Sequence, residues 1–165
     1  MEAQSTSKRT LIIGLGNPLI SADAFGPRVI ECLRREDSGS VRSADLIDAH
    51  TDLLGQIESF PAYARVVLVD AILDPGARVG NPGEVVLVDE DTLVAWPEAS
   101  TGIHQLSPVL AVKLFRSLHP HVATQILLVG LCTDGSVLGP ATGAEPGAFG
   151  EQAVAQGAER IRELL

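Results

Sequence analysis

Short apolar runs of the kind that form buried strands alternate along the chain with segments of helical periodicity. The strand-like runs are residues 10–16 (TLIIGLG), 41–48, 64–70 (ARVVLVD) and 124–131 (TQILLVGL), and the helical segments are residues 26–35, 107–118 and 151–165. This alternation is typical of a parallel sheet that carries helices on both faces. We therefore predict an α/β fold, a three-layer αβα sandwich with a mostly parallel, twisted central sheet of the phosphorylase/hydrolase-like type.

Two local patterns refine this prediction. Residues 83–89 (GEVVLVD) follow a stretch rich in proline and glycine, which predicts a strand at the edge of the sheet. Ser107 and Pro108 match the N-cap and first position of a helix, because serine accepts a backbone hydrogen bond there and proline has no N–H to lose.

The chain length of 165 residues suits one domain and is short for two. Residues 1–9 are polar and predict a flexible tail, so residues 10–165 form the single predicted domain. No apolar stretch reaches the roughly 20 residues that a bilayer span needs, and the opening residues lack the pattern of a signal peptide. We therefore expect a cytoplasmic protein without a membrane segment.

Acidic residues outnumber basic ones by 21 to 12, which gives a net charge of -9. A charge of this sign repels phosphate backbones and anionic lipid surfaces. The composition therefore disfavours nucleic acids and membranes as partners.

Residues 11–26 (LIIGLGNPLISADAFG) form an apolar run that breaks into a glycine-rich turn and carries one carboxylate, Asp23. A dinucleotide-binding fingerprint needs a third glycine where this chain has Leu19, although an acidic residue, Asp48, does follow the second predicted strand. A phosphate-binding loop needs a lysine after its glycines, and none follows here. Both nucleotide interpretations are therefore disfavoured.

The segment LIIGLGNP also resembles the opening of peptidyl-tRNA hydrolases, whose first strand ends in Gly-Leu-Gly-Asn-Pro. That family continues with a glycine and soon a histidine, whereas this chain continues with Leu19 and has no histidine before His50. The acidic charge also disfavours a tRNA ligand. A peptidyl-tRNA hydrolase-like hydrolase remains an alternative interpretation.

Four blocks, in order, resemble the [NiFe]-hydrogenase maturation proteases, peptidase family M52. The blocks are GLGNPLISADAFG at residues 14–26, VVLVDAI at 66–72, GIHQLSPVLAV at 102–112 and LLVGLCTDG at 127–135. The resemblance implies an endopeptidase that removes the C-terminal extension of a hydrogenase large-subunit precursor after nickel insertion. It also implies that this precursor is the partner. We expect the protein to act as a monomer.

The family's metal-binding positions fall on Asp23, Asp70 and His104, which the resemblance therefore implies as both metal ligands and catalytic residues. Two carboxylates and one imidazole suit a divalent ion of intermediate hardness. The expected ion is nickel supplied by the substrate, and zinc or cadmium could replace it in vitro. We expect a metal-dependent, aspartyl-type endopeptidase, in which the nucleophile is left open and an aspartate assists proton transfer.

The expected substrate-binding residues are Asn17, His50 and Gly76. Two departures from the family pattern affect this region. Ala22 replaces the first member of the usual acidic pair, and residues 48–55 (DAHTDLLG) replace a glycine-rich stretch. Because Ala22 removes a charge and His50 replaces a small residue, a non-catalytic, metal-dependent maturation chaperone is a further alternative.

Overall fold

The chain folds as helices on both faces of one five-stranded sheet. A computed structural model describes residues 9–73, 79–96, 107–133 and 148–165, the last with side chains from Gly150 onward. The strands are β1 (Thr10–Leu15), β2 (Asp45–His50), β3 (Arg65–Leu73), β4 (Val85–Asp89) and β5 (Gln125–Thr133). Their order across the sheet is β2-β1-β3-β5-β4, and only β4 runs antiparallel to its neighbour. The predicted mostly parallel αβα architecture and the predicted edge strand are both confirmed.

The helices divide between the two faces of this sheet. They are α1 (Phe25–Arg34), α2 (Gly39–Arg42), α3 (Glu90–Val94), α4 (Pro108–Leu118) and α5 (Ala148–Leu164), with a 3-10 helix at Leu54–Ala62. One core joins α1 and α5 to the sheet, and the other joins α3, α4 and the 3-10 helix to its opposite face. The central strands β3 and β5 are therefore buried on both faces, which explains why they are continuous apolar runs.

Helix α4 begins where the sequence predicted, with Ser107 as its N-cap. The Ser107 hydroxyl oxygen accepts the Leu110 N–H at 3.1 Å, and Pro108 occupies the first helical position.

The short helix α3 was absent from the sequence prediction. Asp89 caps it by accepting the Thr92 N–H at 2.8 Å, so a strand passes directly into a helix without a turn residue.

The predicted strand at residues 41–48 is wrong at its first half. Residues Gly39–Arg42 form α2, and β2 begins only at Asp45 and continues to His50. The backbone N–H of Ala44 donates to the Val41 carbonyl, which closes the turn that separates the two elements. Val41 is buried in the core from a helix instead of a strand, since burial of its side chain outweighs its β preference.

In the part of the chain that the structure describes, no helix combines the length and the apolar character that crossing a bilayer requires.

Candidate active site

The sheet has a topological switch point between β1 and β3. From β1 the chain passes to β2 on one side, and β3 then pairs with β1 on the other side. In open α/β sheets, ligands bind in the crevice at the carboxyl ends of the strands where the order reverses. The last pair between these strands is Gly14 with Val69, so Asp70 lies one residue beyond it, at the mouth of the crevice.

The loop after β1 places Asp23 at this crevice. Gly16 has φ of +122°, and a Cβ there would lie 1.9 Å from the Asp23 carbonyl oxygen. The loop therefore folds back tightly on itself, which only glycine permits. The Asn17 N–H donates to Asp23 Oδ2 at 2.7 Å, so the loop backbone orients the carboxylate.

The other glycines of the loop bring α1 against the strands. A Cβ on Gly14 would lie 2.5 Å from Ile30 Cγ1, and a Cβ on Gly26 would lie 2.2 Å from the Leu15 carbonyl oxygen. The two glycines thus allow close packing of helix on strand. Their role here is structural, and it explains the glycine pattern without a bound nucleotide.

Asp70 is partly buried in β3, one residue past the last residue that pairs with β1, and its carboxyl is close enough to Asp23 to be influenced by its charge. Loss of water around the carboxyl and the negative charge of Asp23 together raise the pKa of Asp70 to about 7, and a hydrogen bond from the Ala71 N–H opposes part of this shift. That hydrogen bond, from the Ala71 N–H to Asp70 Oδ1, is 2.8 Å long. The fold therefore brings together two of the three residues expected to bind metal, in an environment that favours an additional positive charge.

The raised pKa predicts that the metal-free protein loses stability as the pH rises. An unfolded aspartate titrates near pH 4 and folded Asp70 near pH 7, so between these values the folded state retains a proton that the unfolded state has released. Above about pH 7 Asp70 is ionised in the folded state as well. Its buried charge then lowers the free energy of unfolding by at most about 4 kcal/mol. We expect Asp70→Asn to raise the free energy of unfolding by roughly 2 kcal/mol at about pH 8, and to change it little at about pH 4. Urea unfolding in the presence of a chelator measures both values.

Asp89→Asn is the matched control for this measurement. Hydrogen bonds from the backbone and side chain of Thr92 lower the pKa of Asp89. The stability that Asp89 provides is therefore present at neutral pH and is lost in acid. Asp89→Asn should therefore have a lower free energy of unfolding than wild type at about pH 8. If Asp70→Asn and Asp89→Asn both raised the free energy of unfolding equally, the argument for Asp70 would be contradicted.

His50 and Asn17, two of the expected substrate-binding residues, lie beside this loop. The His50 carbonyl accepts the Gly16 N–H at 2.7 Å, and its exposed imidazole lies 3.3 Å from Asp48 Oδ1. His50 has φ of +50°, in the left-handed region that few residues other than glycine adopt and in which asparagine, aspartate and histidine are enriched. The Asn17 side chain accepts the Leu19 N–H at 2.9 Å. Both residues are close to the crevice, and their contact with substrate stays a prediction.

His104 and Gly76 lie outside the described residues, so their predicted roles are unchanged. Within the ranges that the structure describes, no three ligating side chains form a metal site. The structure does show the helix that follows His104 in sequence: α4 begins at Pro108, and its buried N-cap Ser107 lines the same pocket as Asp70.

Gly130 is a residue of this region that the sequence analysis did not single out as functional. It is the register partner of Asp70 on β5, and a Cβ there would lie 1.9 Å from Ile72 Cδ1. The glycine therefore makes room for Ile72 beside the carboxylate. Its sequence signal was a glycine inside a fully buried strand, which often marks a close approach.

Comparisons with known proteins identify the fold. No protein-family model matches the chain, and no curated protein sequence matches it. The solved structure of the hydrogenase maturating endopeptidase HybD from E. coli superposes with a TM-score of 0.70 and 21% identity, over 93% of this chain and 89% of that one. The [NiFe] hydrogenase maturation protease HycI from Thermococcus kodakarensis gives 0.70 and 24%, over 98% and 94%. HybD from Thermococcus kodakarensis gives 0.64 and 24%, over 93% and 99%. The chain therefore has the fold of the hydrogenase maturation proteases, as its motifs predicted.

Proposed function

We propose that this protein is an endopeptidase that removes the C-terminal extension of a [NiFe]-hydrogenase large-subunit precursor after nickel insertion. The observation that carries the proposal is the pair Asp23 and Asp70, which face one crevice at the switch point of this fold. The solved structures with the same fold are named as maturation proteases, and the four sequence blocks agree with that family. We further propose that it acts as a monomer in the cytoplasm.

The two carboxylates suit a divalent cation. Both accept hydrogen bonds from backbone N–H groups, and within the described ranges neither forms an ion pair with an arginine or a lysine. Two adjacent carboxylates repel each other, which is the source of part of the raised pKa of Asp70. We propose that Asp23, Asp70 and His104 bind the nickel of the precursor, and this bound cation would polarise the scissile carbonyl.

The chain's own residues then have separate tasks. The Asn17 N–H donates to Asp23 Oδ2 and so fixes the orientation of this carboxylate. Before a cation binds, burial and the charge of Asp23 raise the pKa of Asp70 to about 7, and a bound cation would favour its carboxylate form, which is the form that accepts a proton. In this proposal Asp70 accepts a proton from the attacking water and returns it to the leaving amine. The peptide C–N bond breaks, and one water is consumed in each turnover.

The test compares nickel-loaded with nickel-free large-subunit precursor, each incubated with the purified protein and followed by intact mass. We expect the C-terminal extension to be lost from the nickel-loaded form alone. Cleavage of both forms would refute nickel recognition. Stable binding without cleavage would refute the endopeptidase and support the chaperone alternative, which the alanine at position 22 favours. Release of peptide from peptidyl-tRNA would support the hydrolase alternative instead.

A further inference from the structure

His50, the last residue of β2, contacts through its main chain the loop that carries Asp23. Its carbonyl oxygen accepts the Gly16 N–H at 2.7 Å. The next N–H along that loop, from Asn17, donates to Asp23 Oδ2 at 2.7 Å. One N–H therefore anchors the loop to β2, and its neighbour orients the carboxylate. The place of Asp23 relative to the sheet thus depends on the direction of the His50 carbonyl.

An irregularity in the pairing of β1 with β2 sets this direction. Gly14 pairs with Asp48, but the next residue, Leu15, pairs with His50. Ala49 is therefore an extra residue in β2. An extra residue of this kind bends its strand and re-aims the residues beside it. Ala49 is buried in the core, which fixes the irregularity in place.

His50 adopts a backbone conformation that most side chains avoid. Its φ of +50° lies in the left-handed region, where β-branched residues are strained and asparagine, aspartate and histidine are enriched. Asp48 stabilises this conformation, because its Oδ1 accepts the His50 N–H at 3.3 Å and lies 3.3 Å from the imidazole Nδ1. A bond from an aspartate side chain to the backbone two residues on is typical of a turn. The end of β2 is therefore held by a turn contact in addition to the strand pairing.

We propose that His50 is a positioning residue for Asp23. Its left-handed backbone directs its carbonyl to Gly16, and the loop is thereby held where the Asp23 carboxylate binds a divalent cation. The inference rests on the proposed function and deepens it, because it assigns the geometry of one ligand to a residue outside the proposed ligand set. The role belongs to the His50 backbone and requires no contact between the imidazole and the substrate.

The first test compares His50→Val with His50→Asn in the full-length protein. Both substitutions remove the imidazole, but only asparagine adopts the left-handed region readily. Nickel binding is measured by calorimetry with the precursor absent, at the site that Asp70→Asn weakens. We expect His50→Val to weaken binding roughly 10-fold or more, as loss of a group that orients a ligand does, and His50→Asn to stay within about 3-fold of wild type. Equal affinities in wild type and His50→Val, or no nickel binding by wild type, would overturn the proposal.

Circular dichroism shows whether each variant is folded. If His50→Val does not fold, His50→Ala takes its place in the comparison. Alanine is less strained than valine at this φ, so a smaller loss of nickel affinity is expected. An unchanged affinity in the folded alanine variant would also refute the positioning role.

Asp48 provides a second, independent pair of variants. Asp48→Ala removes the acceptor of the His50 N–H, whereas Asp48→Asn keeps an oxygen there without the charge. We expect Asp48→Ala to weaken nickel binding several-fold and Asp48→Asn to restore most of the affinity. Equal losses in the two variants would show that the Asp48 charge attracts the cation directly, which would overturn the proposal. Asp52→Ala is the matched control, because this exposed carboxylate accepts the Gly55 N–H at 3.0 Å and should leave nickel binding unchanged.

Precursor processing separates this inference from the proposed activity. With nickel-loaded precursor we expect His50→Val to lower kcat/KM roughly 10-fold, and His50→Asn to keep most of it. An imidazole that binds substrate would instead give equal losses in the two variants, which would overturn the proposal. If neither wild type nor any variant cleaves the precursor, the endopeptidase activity alone is refuted, because the nickel affinities still decide the role of His50.

Discussion

Gly26→Ala is expected to destabilise the fold by at least about 4 kcal/mol, a large part of the roughly 5 to 15 kcal/mol by which a domain is usually stable. A Cβ at this position would lie 2.2 Å from the Leu15 carbonyl oxygen and 2.4 Å from the Val69 carbonyl oxygen. Both are backbone atoms of central strands, so no side-chain rotation can relieve the overlap. The first helix would have to move away from β1 and β3. Circular dichroism and urea unfolding of the purified variant measure the effect.

Gly39→Ala is the control for the helical propensity of the same substitution. Gly39 is exposed in α2, and a Cβ there would contact nothing within 4 Å. Alanine is a better helix former than glycine, so this variant should be neutral or more stable by up to roughly 1 kcal/mol. If Gly26→Ala and Gly39→Ala changed the free energy of unfolding equally, helix α1 would not be packed closely against β1 and β3.

The sequence predicted the layers of this fold because burial of parallel strands leaves a direct pattern. Strands β3 and β5 are buried on both faces, and both are continuous apolar runs. The errors occur where a residue's local preference and its tertiary position disagree. Val41 has the β-branched side chain of a strand residue and is buried from a short helix. The five-residue helix α3 is too short to show a helical period.

The candidate site was only partly predictable. Asp23 and Asp70 come after apolar runs, which predicted positions at or beyond strand ends, and the resemblance to the proteases singled them out; in the structure Asp23 lies in the loop after β1 and Asp70 lies within β3. Asp23 and Asp70 are close together because β3 pairs with β1 on the side opposite β2. Local sequence patterns predict the strands but do not predict their order in the sheet. The same holds for Gly130, whose role beside Asp70 comes from the register between β3 and β5.

Asp23→Asn and Asp70→Asn are each expected to lower the rate of precursor processing at least about 100-fold. An asparagine keeps the shape and one oxygen of the side chain but loses the negative charge that a cation requires, and at position 70 it cannot carry the exchanged proton. The measurement is the rate of loss of the C-terminal extension from nickel-loaded precursor, followed by intact mass at saturating enzyme. Binding of nickel to each variant, measured by calorimetry with the precursor absent, should weaken in parallel.

Asp89→Asn is the control, because Asp89 lies at the opposite end of the sheet and asparagine also serves as an N-cap. It should process precursor at the wild-type rate. The decisive comparison is within Asp70→Asn itself, which should be more stable than wild type near neutral pH while it is inactive. That combination is expected because the ionised Asp70 carboxylate lowers the stability of the fold but is needed for the proposed reaction. A variant that is both more stable and fully active would show that Asp70 has no part in the reaction.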